Sequence, residues 1–66
     1  MEKDWVRAYD TQQEYIAELA RAVLSDNDIE SVVINKKDSS YHFFGDIEIY
    51  VKRDNILRAK LILKQI

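Results

Sequence analysis

The segment Asp46–Val51 constrains the fold more than any other part of the sequence. Its side chains alternate between polar and apolar, which is the two-residue period of a β-strand with one buried face. The inward members are Ile47, Ile49 and Val51, and the outward members are Glu48 and Tyr50. Because a one-sided sheet must bury its apolar face against another layer, this segment predicts a strand covered by helices on its isoleucine side.

The first third of the chain predicts a strand followed by a helix. Trp5–Tyr9 is short, aromatic and roughly alternating, so it is typical of a strand with Trp5, Arg7 and Tyr9 on one face. Thr11 and Glu14 have the spacing of a capping box, in which the Thr11 hydroxyl accepts from the Glu14 amide, and they predict a helix start. The apolar stripe of that helix is Ile16, Leu19, Ala20, Val23 and Leu24. Asn27 or Asp28 is expected to end the helix in the left-handed backbone conformation.

A second strand and a second helix are expected in the rest of the chain. Ser31–Asn35 is short and β-branched, which predicts a strand, and residues 36–45 form a loop. Asp54 is a suitable N-cap for the last helix, with Asn55 as the alternative. Its core stripe is predicted to be Ile56, Ala59, Leu63 and Ile66, supported by Ile62, with Leu57 and Leu61 around the side.

These elements predict a single α+β domain over residues 1–66, with the order βαββα. The three strands form an antiparallel sheet with the third strand between the first two, a split βαβ that corresponds to half of a ferredoxin-like fold. Both helices are expected on one face of the sheet. Such a sheet leaves two open edges and one bare face, so we expect homodimerisation by edge pairing or through the bare face.

Composition argues against several classes of function. The chain has no cysteine and one histidine, His42, so it offers neither a thiolate nor a multi-histidine metal site, and we expect no metal and no cofactor. No nucleophile–base pair is visible, and we expect no enzymatic activity. A net charge of −2 disfavours nucleic acid as a partner. No apolar run approaches a membrane span, and the first residues lack a signal-peptide core, so a cytoplasmic location is expected.

Two groups of residues are candidates for partner binding. In the loop, Lys36 and Lys37 precede three aromatic residues, Tyr41, Phe43 and Phe44. The lysines belong either to an ordinary solvated loop or to an anion site, and the aromatic residues belong either to the core or to a contact surface. On the sheet, Trp5, Tyr9 and Tyr50 form either a binding platform on the face away from the helices or simple cross-strand packing.

Three stretches carry a resemblance to a known family. They are Trp5–Tyr9 followed by Thr11, the helix from Glu14 to Leu24 leading into Asn27–Glu30, and Gly45–Val51 followed by a helix containing Arg58-Ala59-Lys60. The chain resembles the bacterial family of prokaryotic signal-transducing proteins, whose members are similar to half of the PII-like, ferredoxin-like architecture. The family pattern often has glycine where this chain has Asp28. The resemblance implies a regulatory role and supplies no catalytic residues.

Two functions therefore follow as expectations. The first is a small regulatory or protein-interaction module without catalysis, which binds a protein partner or a second copy of itself. Its contact residues would be the 36–45 loop and the sheet face formed by Trp5, Arg7, Tyr9, Glu48 and Tyr50. The alternative is a small-molecule sensor of the PII-like type that binds a nucleotide or metabolite at a subunit interface, with a basic contact from Lys36, Lys37 or Arg53.

Overall fold

The fold is a three-stranded antiparallel sheet with two α-helices. The computed structural model describes residues 4–36 and 47–66. The elements are β1 (Trp5–Thr11), α1 (Glu14–Asp26), β2 (Ser31–Asn35), β3 (Ile47–Lys52), a short 3₁₀ helix (Arg53–Asn55) and α2 (Ile56–Leu63). The strands lie in the order β1-β3-β2, and both outer strands run antiparallel to β3. This confirms the predicted α+β class and the βαββα order, and it is consistent with a ferredoxin-like type of domain.

The core lies between the helices and one face of the sheet. Ile47, Ile49 and Val51 of β3 are at most 1% exposed, as the alternation of that segment predicts. The helices and the turn after α1 contribute the other buried side chains, which are Ala17, Ala20, Leu24, Ile29, Ala59 and Leu63. Because Ala17, Ala20 and Ala59 are small, the helix backbones can approach the sheet closely at these positions.

Two residues that the helical stripes placed in the core are exposed. Leu19 is 45% exposed, because Ala17 rather than Leu19 joins Ala20 and Leu24 on the buried side of α1. Ile66 is 40% exposed, because α2 ends at Leu63 and the helical spacing no longer applies beyond it. The prediction for both residues was wrong.

The helix starts also differ from those expected. β1 continues to Thr11, whose hydroxyl accepts a hydrogen bond from the Gln13 amide over 3.1 Å instead of from Glu14. Helix α1 begins at Glu14 with Gln13 at the cap position and no side-chain cap bond, so the capping box does not form. Before α2, Asp54 lies within the 3₁₀ helix, and Asn55, the alternative, takes the cap position.

The end of α1 follows the expected chemistry. Asp28 has φ of 62°, the left-handed conformation predicted for this turn. The Asn27 side chain donates to the Val23 carbonyl over 2.9 Å, and the Ile29 amide donates to the Leu24 carbonyl over 2.9 Å. These bonds satisfy carbonyl groups that a helix end leaves without partners, and they turn the chain directly into β2.

Candidate functional site

A β-bulge in β1 decides which side chains reach the sheet face that the helices leave open. Arg7 lies opposite Tyr50, but Tyr9 lies opposite Ile49, so one extra residue, Ala8, is inserted between them. The alternation of β1 therefore changes phase, and Tyr9 packs against the core on the helix side. The expectation that Tyr9 shares the open face with Trp5 was wrong, and the bulge is the physical reason.

Glu48 lies at the centre of the open face and has three hydrogen-bond donors. Its Oε2 accepts from Arg7 Nη1 of β1 over 3.1 Å. Its Oε1 accepts from the Tyr50 hydroxyl over 3.0 Å and forms a 3.0 Å ion pair with Lys36 Nζ, just beyond β2. With these neighbours around it, Glu48 is only 8% exposed although it lies on the sheet face away from the buried cluster. We call Arg7, Lys36, Glu48 and Tyr50 the Glu48 cluster.

Hydrogen bonding and burial shift the pKa values of Glu48 and Tyr50 in opposite directions. Burial raises the pKa of the Glu48 carboxyl, but the hydrogen bonds from Lys36, Tyr50 and Arg7 together outweigh burial and hold the pKa below its ordinary value. The hydrogen bond to Glu48, followed by burial, raises the pKa of the Tyr50 hydroxyl. At neutral pH the Glu48 carboxyl is therefore ionised, and the Tyr50 phenol keeps its proton.

The rest of the open face combines aromatic, branched and cationic side chains. Trp5 lies opposite Lys52, and the Lys52 ammonium is 5.1 Å from the centroid of the indole ring, within cation–π range. On β2, Val32 lies opposite Tyr50 and Ile34 lies opposite Glu48. Both branched residues are half-buried. The open face therefore continues across all three strands.

The structure brings some of the candidate residues together and separates others. Trp5, Lys36 and Tyr50 lie on the open face, whereas Tyr9 lies on the opposite side of the sheet. Lys36 contacts Glu48, an ion pair that its assignment to the loop did not anticipate. The other candidates, Lys37, Tyr41, Phe43 and Phe44, lie outside the described residues, as does His42.

The two leucines that the sequence placed around the side of α2 form an exposed apolar row. Leu57 and Leu61, one helical turn apart, are 78% and 64% exposed, and Lys60 and Lys64 flank them. Their exposure confirms that both lie outside the core stripe of α2. We call this the Leu57–Leu61 row.

The described residues carry neither a metal-binding group nor a membrane span. Across residues 4–36 and 47–66, no three His, Cys, Asp or Glu side chains are placed to hold a metal ion. Within the same ranges, neither helix, of 13 and 8 residues, has the length and apolar character needed to cross a membrane.

Comparison with known proteins identifies no relative of this chain. A scan against protein-family models, a search of curated proteins and a search of solved structures each gave no match.

Proposed function

We propose that this chain is a non-catalytic protein-interaction module that binds a protein partner through the open face of its sheet. The observation that carries the proposal is that this face presents Trp5, Val32, Ile34 and Tyr50, all partly exposed, around a Glu48 carboxylate whose hydrogen bonds are satisfied internally. Such a surface offers apolar and aromatic contact area without leaving a buried charge unpaired when a partner covers it.

The composition of the open face favours a protein partner. Trp, Tyr and Arg are the residue types that most often dominate binding energy at protein interfaces, and Trp5, Tyr50 and Arg7 supply one of each. Three described cations, Arg7, Lys36 and Lys52, lie on this face, and the anions Asp10, Glu48 and Glu30 balance them. The side chains of Arg7 and Lys36 are 55% and 54% exposed, which leaves part of their charge accessible to a partner.

The alternative function, a small-molecule sensor, receives less support from the described residues. A groove between α1 and β2 encloses about 170 Å³, and another beside Lys52–Asp54 encloses about 200 Å³. Ligand sites usually have volumes of about 300–1,000 Å³. A larger hollow of about 490 Å³ lies over the Leu57–Leu61 row, but one side of a single helix forms all of its described lining. It is therefore a shallow surface depression rather than an enclosing pocket.

The test is a capture experiment with matched variants. The tagged protein, the open-face variants Trp5→Ala and Lys52→Glu, and the helix-side control Arg21→Ala are each used to capture partners from a bacterial lysate. Arg21 pairs with Glu18 on the exposed side of α1, away from the described part of the sheet, so its loss should leave the sheet unchanged. We expect one protein to be retained by the wild type and the control and lost by both open-face variants. Equal retention by all four proteins, each shown to be folded by circular dichroism, would refute the proposal.

A titration separates the sensor from the interaction module. ¹⁵N-labelled protein is titrated with a panel of nucleotides and central metabolites, and amide shifts are followed. The interaction module predicts a folded spectrum without saturable shifts. Saturable shifts at Lys36 or Arg53 with one compound would favour the sensor and count against a function limited to protein binding.

A further inference from the structure

The two edges of the sheet differ in their capacity to pair with another strand. In the order β1-β3-β2, the strands β1 and β2 each have one side without a neighbour among the described strands. The bulge at Ala8 interrupts β1, and Arg7 and Asp10 add charges beside it. Bulges and charges are the usual devices by which proteins prevent edge pairing. The edge formed by β1 is therefore protected.

Strand β2 carries none of these devices between Ser31 and Asn35. Its five residues pair with β3 in one uninterrupted register. Its centre is the β-branched run Val32-Val33-Ile34, and no charged residue or proline lies within the strand. All three branched side chains are half-buried rather than covered. A regular, uncharged, β-branched edge is the kind that recruits another strand.

The sequence around β2 is complementary to itself in the antiparallel direction. When two copies are aligned about Val33, Glu30 faces Lys36, Ser31 faces Asn35, and Val32 faces Ile34 of the second copy. The pairs are thus an ion pair, a polar pair and an apolar pair, each occurring twice by symmetry. Cross-strand pairs of these kinds stabilise antiparallel sheets, whereas like charges directly opposite each other destabilise them.

The neighbouring registers lose this complementarity. Moving the symmetry centre to Ile34 places Lys36 opposite Val32 of the second copy, and moving it to Val32 places Glu30 opposite Ile34. If the symmetry centre lies between two residues, each open-face residue of one copy faces a helix-side residue of the other. The helices of the two copies would then lie on opposite sides of the joined sheet. The Val33-centred register alone pairs Glu30 with Lys36 and keeps both open faces on one side.

We propose that two copies of this chain form a two-fold symmetric dimer by antiparallel pairing of their β2 strands about Val33. The two sheets then become one sheet of six strands, and the two open faces become one continuous surface. Lys36 lies between Glu48 of its own chain and Glu30 of the second copy. This dimer is independent of the proposed partner binding, since it uses the edge of β2 and leaves the open face accessible.

Cysteine scanning tests the register, because the chain contains no cysteine of its own. Val33→Cys places two thiols opposite each other at the symmetry axis, where Cβ atoms of a cross-strand pair are about 4.5–5.5 Å apart. Ser31→Cys is the matched control, since its two thiols are offset by four residues along the strands, roughly 14 Å. That separation exceeds the reach of a disulfide. Under mild oxidation we expect Val33→Cys to form covalent dimer on the order of tenfold faster than Ser31→Cys.

A charge exchange tests the same register without cross-linking. Glu30→Lys and Lys36→Glu each place like charges opposite each other in their own dimer. When the two variants are mixed, every facing pair is again of opposite sign. We expect sedimentation equilibrium to show dimers for the wild type and the mixture and mainly monomers for each variant alone. Folding of each variant is verified by circular dichroism.

Two outcomes would overturn the dimer. One is a monomeric mass for the wild type at high micromolar concentration. The other is equal cross-linking by Val33→Cys and Ser31→Cys. Neither outcome affects the capture experiment on the open face, so failure of the dimer and failure of the partner-binding function are distinguishable.

Discussion

Arg7 of β1 donates a 3.1 Å hydrogen bond to Glu48 of β3, across 41 residues of sequence. The carboxylate end of this pair is nearly buried, whereas the side chain of Arg7 is 55% exposed. If the pair is broken, water can therefore hydrate the Arg7 guanidinium but has little access to the Glu48 carboxylate. This asymmetry makes Glu48 the residue on which the stability of the open face depends most.

Replacement of Glu48 by Gln should destabilise the fold. The change removes the negative charge that Arg7, Lys36 and Tyr50 share, but the two cations can return to water, so the loss is smaller than for a fully buried pair. We expect a decrease of about 1–2 kcal/mol in the free energy of unfolding, measured by urea denaturation. The control Glu18→Gln breaks the exposed Glu18–Arg21 pair and should cost no more than about 0.5 kcal/mol. Equal losses for the two variants would contradict this role of Glu48.

The lowered pKa of Glu48 predicts how stability depends on pH. The ordinary value is 4.5, and the folded value lies below it, so between these two values the unfolded chain binds more protons than the folded one. The contribution of Glu48 is therefore fully present above pH 4.5 and is lost as the pH falls through the folded pKa. Denaturation at neutral pH and at pH ~3 should show a larger loss for the wild type than for Glu48→Gln. A loss of the same size in both proteins would show that other carboxylates account for it.

The bulge at Ala8 predicts that Tyr9 behaves as a core residue. Tyr9 packs against the buried cluster, while Tyr15 on α1 is 68% exposed. Because Tyr9 is only half-buried, Tyr9→Ala should cost about 2 kcal/mol in urea denaturation, below the range for fully buried aromatics. Tyr15→Ala should cost less than about 0.5 kcal/mol. If the two tyrosines gave the same small effect, Tyr9 would lie on the open face after all.

The close packing of α1 predicts a strong dependence on side-chain size. Ala20 is fully buried, whereas Ala22, two residues further on, is exposed. Ala20→Leu inserts three carbons into a filled space and should destabilise the protein by about 1–3 kcal/mol. Ala22→Leu should change stability by less than about 0.5 kcal/mol. Thermal unfolding followed by circular dichroism compares the two, and a tolerated Ala20→Leu would mean that the helices pack less closely than described.

Much of the fold follows from local patterns, because alternation and turn chemistry are local properties. Ser31–Asn35 is a strand with the predicted bounds, and β3 ends at Lys52, one residue after its predicted end. The left-handed residue at the end of α1 was expected at Asn27 or Asp28 and is Asp28. The start of α1 was wrong because pairing of Thr11 with Ile47 extends β1, and a tertiary contact of this kind has no local signature.

The candidate site was less accessible to sequence reasoning. The outward direction of Glu48 and Tyr50 follows from alternation. The bulge that places Tyr9 on the helix side adds a single residue to β1, and the sequence of Trp5–Thr11 has no pattern that predicts it. The ion pair between Lys36 and Glu48 depends on the register of β2 against β3, which only the folded sheet defines. Sequence patterns give the faces of individual strands, whereas the pairing of strands decides which side chains meet.

The central claim is that the open face of the sheet binds a protein partner, and NMR mapping tests it most directly. ¹⁵N-labelled protein is titrated with the purified partner from the capture experiment, and the amide and Trp5 indole signals are followed. The account predicts saturable shifts at Trp5, Val32, Ile34 and Tyr50, with little change on the outer side of α1. Shifts confined to the Leu57–Leu61 row or to α1, with an unchanged Trp5 indole signal, would contradict it.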